Sequence, residues 1–219
     1  MALIALVVNL LQPLHSLKIC LYELALIGII VGWAIWFVRH NRKWLYLLAA
    51  VIFLPFLPLI NQTAKDNIVL QKYYVDYLRS YEGVKYVWGG EGCFGIDCSG
   101  LPRSAFIKAN FKYAYFHFKG KALRKALWLW WFDASAKEMF NGYKGAMIVE
   151  QKFYKIKDLR TDVQPGDIAT NGSHVMVYLS ASEIIQSDPD RNLVIIDKLP
   201  AEIHWYRMDV NLVKWNKDN

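Results

Sequence analysis

At 219 residues the chain is long enough for one compact domain plus an appendage. Its hydrophobic fraction of 55% exceeds the roughly 45–50% of a soluble domain, so part of it is expected outside water. Three cysteines exclude a disulfide framework. The net charge of +7 comes without a basic stripe interleaved with aromatics, and no nucleic-acid partner is expected.

The apolar excess is concentrated at the start. Residues 1–60 carry only Lys18, Glu23, Arg39, Arg42 and Lys43 as charges. The expected division is a membrane anchor over residues 1–62 and a globular domain over residues 66–219. Two segments, 19–38 and 44–60, are close to the roughly 20 apolar residues that cross a bilayer, and Pro55 and Pro58 late in the second are tolerable there. Between them Arg39-His40-Asn41-Arg42-Lys43 holds three fixed positive charges, which places this loop in the cytoplasm and the remainder on the outer face. Met1 to Leu14 is also apolar but short, and whether it spans does not alter that parity.

Beyond the anchor, glycines at 89, 90, 92 and 95 form a loop, and from Cys98 the pattern turns helical through Leu101, Phe106 and Ile107. Asp97 stands where an N-cap belongs, which puts Cys98 in a first helical turn. Unpaired N–H groups and the positive dipole end favour a thiolate there, so a lowered thiol pKa is expected. Gly100 leaves room for another element to approach that turn. No Gly-Lys-Ser/Thr follows the glycines, so this is not a phosphate loop.

A thiolate nucleophile needs a base. His174 opens the strand-like run His174-Val-Met-Val-Tyr-Leu179, directly after the turn signals Pro165-Gly-Asp167 and Asn171-Gly172. His117 and His204 lie among aromatics and read as packing or surface residues. The next strand-like run, Glu183-Ile-Ile-Gln-Ser187, puts Gln186 beside His174 if the two strands pair as a hairpin, where a neutral amide fixes the imidazole tautomer.

Together, Tyr86-Val-Trp-Gly-Gly, Asp97-Cys-Ser-Gly-Leu101, Pro165-Gly-Asp167 and His174-Val-Met-Val-Tyr-Leu179 resemble, in order, the motifs of the NlpC/P60 family of papain-like cysteine peptidases, which cut the peptide stems of bacterial peptidoglycan. The resemblance covers about residues 66–219. It implies Cys98 as nucleophile, His174 as base and Gln186 at the third polar position, with Tyr86, Asp97 and Ser99 as substrate-binding and oxyanion residues. Gln186 stands where the family often has histidine. Pro102 interrupts the nucleophile helix near its start, and Ser180 replaces the glycine usual after Tyr-Leu. The 76 residues from Cys98 to His174 exceed what compact members need.

The expected fold is α+β and papain-like: a nucleophile helix on a small antiparallel sheet, preceded by a transmembrane helical hairpin. Strands are expected over 167–170, 174–180, 183–187, 193–197 and 202–207. The expected function is a cysteine endopeptidase of the bacterial inner membrane, with its catalytic domain on the periplasmic or outer face, hydrolysing stem-peptide amides through a thioester. No metal or organic cofactor is expected. A thiol acyltransferase, a lipid amidase and a non-catalytic wall-binding module are the alternatives. The surplus residues lie in 111–145, where Lys119, Lys121, Arg124 and Lys125 precede Leu127-Trp-Leu-Trp-Trp-Phe132. That segment either touches the bilayer or groove, or packs its aromatics into the core. Cys93 is expected as an unpaired loop cysteine, with a redox lock onto Cys98 as the alternative.

Overall fold

The computed structural model describes residues 3–4, 6, 14, 16–61, 67–141, 148–154, 164–180, 182–198 and 210–214. The apolar start forms helix α1 (Leu17–Val38), capped by Ser16 Oγ accepting from the Ile19 N–H, and helix α2 (Arg42–Phe53), capped by Asn41 Oδ1 accepting from the Lys43 N–H. A 3₁₀ segment, Leu54–Ile60, completes the second apolar run. The second span was expected to run to residue 60 as one helix. Pro55 and Pro58 each remove a backbone donor, and the chain tightens into 3₁₀ geometry instead. Both runs are long and apolar enough to cross a membrane and are mostly unburied. At 1.5 Å per residue, the 22 residues of α1 reach about 33 Å, close to the hydrocarbon thickness.

The open end of this hairpin meets the rest of the chain. Leu14 forms a bridge with Gly90, the Cys20 Sγ lies 3.9 Å from the Trp130 carbonyl, and the Gly120 N–H donates to the Asn61 carbonyl at 3.1 Å. The basic turn at residues 39–43 joins the two helices at the opposite end.

Helix α3 (Asn67–Arg79) is followed by the two-residue strands β1 (Glu91–Gly92) and β2 (Gly95–Ile96). Then come helices α4 (Gly100–Phe116), α5 (Gly120–Trp131) and α6 (Ala136–Phe140). Strands β3 (Ile148–Tyr154), β4 (Ile168–Thr170), β5 (Val175–Ser180), β6 (Glu183–Asp188), β7 (Leu193–Lys198) and β8 (Val210–Lys214) form one sheet in the order β3-β8-β4-β5-β6-β7, antiparallel throughout. The architecture is therefore α+β. Four expected strands coincide with β4 to β7. The expectation at 202–207 falls outside the described residues, and β3 and β8 were not expected.

The core lies between the helices and the sheet. Leu70, Tyr74 and Leu78, spaced by four, give α3 one buried face, and α4 contributes Leu101, Ala105, Phe106, Ala109 and Tyr113. Ile168, Val175, Val177, Leu179, Ile185 and Val194 answer from the sheet. Each large apolar side chain buried this way contributes about 1.5–3 kcal/mol. Tyr74 meets Phe106 edge-on at 5.2 Å between centroids. Pro102 falls within the first turn of α4, where its missing N–H costs little, and the helix runs through it unbroken.

The segment 111–145 holds the end of α4, then α5 and α6. On α5, Ala122, Leu123, Ala126 and Leu129 are buried, while Trp128 and Phe132 are half-buried with their rings 4.8 Å apart. Packing therefore absorbs much of the aromatic run, while Lys121 and Arg124 beside it are exposed and Lys119 and Lys125 half-buried.

Candidate active site

Asp97 organises the nucleophile loop. Its Oδ1 accepts from the Ser99 N–H (2.9 Å), the Ser99 hydroxyl (2.9 Å) and the Gly100 N–H (2.6 Å), and its Oδ2 accepts from the Gly89 N–H at 2.8 Å. The Leu101 N–H donates to the Asp97 carbonyl. Asp97 thus accepts the first N–H of α4, but the N-cap position is Ser99 and Cys98 precedes the helix by two residues, which corrects the expectation of Asp97 at the N-cap and Cys98 in the first turn. A Cβ on Gly100 would overlap the Gly90 carbonyl oxygen, so the glycine loop crosses the start of α4 as closely as the sequence suggested. Ser99 is buried with its hydroxyl committed to Asp97.

Cys98 is buried in the core beside this loop. Its thiol pKa is pushed up to about 11. Burial is the main cause and the neighbouring Asp97 carboxylate the second, with the backbone N–H groups of Val175, Ser99 and Cys98 offsetting part of the rise. This corrects the expectation of a lowered value. The helix start does not act on the sulfur at full strength, because α4 begins two residues beyond Cys98 and Asp97 also accepts the Ser99 and Gly100 N–H groups. The resting thiol is neutral and requires a base.

The expected base, His174, precedes Val175, whose N–H reaches the Cys98 sulfur. Asn171 Oδ1 accepts from the Ser173 N–H (3.0 Å) and the His174 N–H (2.8 Å), and Gly172 takes φ 85, so the Asn-Gly turn delivers His174 to the head of β5. Thr170 Oγ1 donates to the His174 carbonyl at 2.9 Å. Since Val177 pairs with Ile185 and Tyr178 with Ile184, continuing the register sets Gln186 diagonal to His174. His174 Nε2 lies 2.8 Å from Gln186 Oε1.

The proton on that contact follows from a residue that sequence reasoning missed. Gln186 Nε2 donates to Asp197 Oδ2 at 3.3 Å across the β6–β7 pair. A carboxylate only accepts, so the Gln186 amide turns its oxygen toward His174, and His174 Nε2 carries the hydrogen. The ring nitrogen suited to take a proton from Cys98 is then Nδ1. Arg191 Nη1 bonds both Asp197 oxygens, at 3.0 and 3.2 Å, and holds that carboxylate in place. The period-2 alternation that puts Asp197 on the Gln186 face was the available signal. The Ser187 hydroxyl donates to the Ile96 carbonyl at 2.7 Å, tying β6 to the nucleophile loop.

Tyr86 is half-buried nearby, and its phenol pKa rises to about 12 through burial first, then the Cys98 and Asp97 charges. It stays protonated and can donate a hydrogen bond. Cys93 is exposed, and none of Cys20, Cys93 and Cys98 is in a disulfide. His117 packs against Tyr113 with ring centroids 4.8 Å apart. His204 lies outside the described residues. Among the described residues no cluster of His, Cys, Asp and Glu could hold a metal ion.

Arg103, fully buried on α4, supports the loop from behind. It is ion-paired with Glu91 and donates to the carbonyls of Leu129, Trp130 and Phe132. These are carbonyls of the last turn of α5 and of its C-cap residue Phe132, so Arg103 serves as a side-chain cap for it. Burial raises the Glu91 carboxyl to about 7 although the guanidinium pulls the other way.

The model of the NlpC/P60 family matches residues 83–212, more than half of the chain. Dipeptidyl-peptidase 6 of Lysinibacillus sphaericus is 25% identical over 157 residues, covering 70% of this chain and 45% of its own. The chain thus spans less than half the length of that curated relative. NlpC1 from Trichomonas vaginalis is 18% identical with a TM-score of 0.43, covering 71% of this chain and 46% of its own. The peptidoglycan hydrolase RipB from Mycobacterium tuberculosis is 17% identical at a TM-score of 0.44, covering 70% and 68%.

Proposed function

We propose, from the premise that the chain belongs to the NlpC/P60 family, that it is a membrane-anchored cysteine peptidase acting on peptidoglycan stem peptides. The observation that carries this reading is the relay from His174 through Gln186 to Asp197, set beside a sulfur that receives the Val175 N–H. His174 Nδ1 takes the thiol proton of Cys98, and the sulfur attacks the scissile amide carbon. The resulting oxyanion is held by the Cys98 N–H and the Tyr86 hydroxyl. The imidazolium then protonates the leaving amine, which departs and leaves a thioester. Water, deprotonated by the same imidazole, hydrolyses the thioester and restores the thiol.

Two roles shift relative to the sequence reading. Asp97 and Ser99 are bonded to each other and Asp97 also to Gly89 of the glycine loop, so they shape the site rather than hold substrate. The oxyanion donors expected at the helix start are reduced to the Cys98 N–H, with Tyr86 supplying the second. The apolar hairpin supports a domain division near residue 62 and an active site on the outer face of a bacterial inner membrane.

The test is mass spectrometry of muropeptides after peptidoglycan is incubated with the detergent-solubilised full chain or its Cys98→Ala form. New stem-peptide fragments from the native protein alone support the reading, and their masses identify the bond. Fragments from both forms would exclude Cys98 as nucleophile. Acyl transfer from a phospholipid without wall cleavage would move the assignment to a lipid acyltransferase.

A further inference from the structure

The corner between α4 and α5 lies where the second apolar run ends. Asn61 Nδ2 donates to the Phe118 carbonyl at 2.7 Å, and the Arg124 guanidinium donates to the Leu59 carbonyl at 3.0 Å. A Cβ on Gly120 would overlap the carbonyl oxygens of Pro58 and Asn61, so the corner is packed backbone to backbone on the end of the anchor. At this place Tyr115, Phe116 and Phe118 are 46%, 77% and 46% exposed. Phe118 takes φ 52, an unusual backbone for a bulky residue, and keeps its ring outside the core. Exposed aromatics this dense call for an explanation.

Charge at the corner has one sign. From Cys98 to Phe132 there is no aspartate or glutamate, while Lys119, Lys121, Arg124 and Lys125 follow Phe118 within about two helical turns of chain. Lys121 and Arg124 are exposed. Aromatic rings flanked by cations suit the bilayer interface, where rings enter the headgroup boundary and cations meet lipid phosphates.

We propose that this corner is a second membrane contact that seats on the headgroup region of an anionic phospholipid bilayer. The proposal rests on the reading of residues 17–60 as a membrane anchor. With the hairpin as one support and the corner as the other, the catalytic domain is fixed in tilt and height above the membrane. Cys98 then reaches only substrate at a defined distance from the lipid.

The test uses the full chain carrying Cys93→Ser and Cys98→Ala, reconstituted into vesicles of phosphatidylcholine with or without phosphatidylglycerol. A fluorophore is placed through Phe116→Cys or Phe118→Cys, with Trp33→Cys inside α1 and exposed Glu82→Cys as references. Quenching by nitroxide-labelled lipid is compared with quenching by aqueous iodide. Probes at 116 and 118 are expected to follow lipid quencher and resist iodide, with lipid quenching lost when phosphatidylglycerol is omitted or when Lys119→Gln and Lys121→Gln are combined. Iodide quenching at 116 and 118 equal to that at 82, with the Trp33 site still lipid-quenched, overturns the corner contact alone. Iodide quenching at the Trp33 site as well overturns the anchor and the corner together.

Discussion

Asp197 never touches the sulfur, yet it decides which way Gln186 faces. Removing it frees the amide to turn its NH₂ toward His174, which then no longer favours hydrogen on Nε2. Asp197→Ala is expected to lower kcat about 10–100-fold, less than the roughly 10²–10⁴-fold of a general base itself because Asp197 acts only through Gln186, with little change in KM. Asp197→Asn retains an acceptor and should recover most of the loss. The nitrogen-15 shifts of His174 distinguish positioning from damage: in the alanine variant they should report a mixture of tautomers, and unchanged shifts would remove Asp197 from the relay.

The Cys98 thiol gives a pH signature. Its pKa of about 11 is raised, so the thiolate is scarce near neutrality unless an imidazole accepts the proton. In His174→Ala, the rate of alkylation by iodoacetamide should climb tenfold per pH unit until about pH 11. The native protein, whose imidazole can take the proton as the sulfur reacts, should alkylate faster than the variant at neutral pH. Superimposable profiles would mean that His174 does not serve Cys98.

At the scale of elements, α4 and α5 are joined by one side chain. Arg103 holds the last α5 carbonyls and neutralises Glu91 in the glycine loop, so it links the nucleophile helix to both neighbours. Arg103→Ala leaves a buried carboxyl and several carbonyls without that cation, and a loss of about 3–5 kcal/mol in unfolding free energy is expected. Denaturant titration checks the value. A loss under about 1 kcal/mol would be the scale of an exposed pair and would contradict a buried hub. Sequence periodicity offers no warning of this role, because Arg103 sits among Leu101, Ser104 and Ala105 on a helix buried nearly all round.

For the whole molecule, the hairpin is packed onto the catalytic domain rather than loosely tethered to it. Gly120 is the tightest point of that contact, and a methyl group there collides with backbone that cannot rotate away. Gly120→Ala is therefore expected to speed hydrogen exchange in α5 and in Leu54–Ile60, leaving β5 to β7 unchanged. Uniform protection in the variant would mean that the docking tolerates an extra methyl.

What the sequence by itself determined was everything encoded in short spacing. Apolar runs of span length, the Asn-Gly turn before His174, the Asp97 carboxylate at the start of α4 and four strands were legible because neighbours along the chain enforce them. Gln186 was legible too, since hairpin register is fixed locally. Only the tertiary structure decided the rest. It set the thiol pKa, because burial and the rerouting of N–H groups to Asp97 depend on what surrounds Cys98. It brought in Asp197, 11 residues from Gln186, and Arg103, up to 29 residues from the carbonyls it holds. It also divided the insert between buried packing and a basic corner, a choice that rests on where the end of the apolar hairpin meets α5.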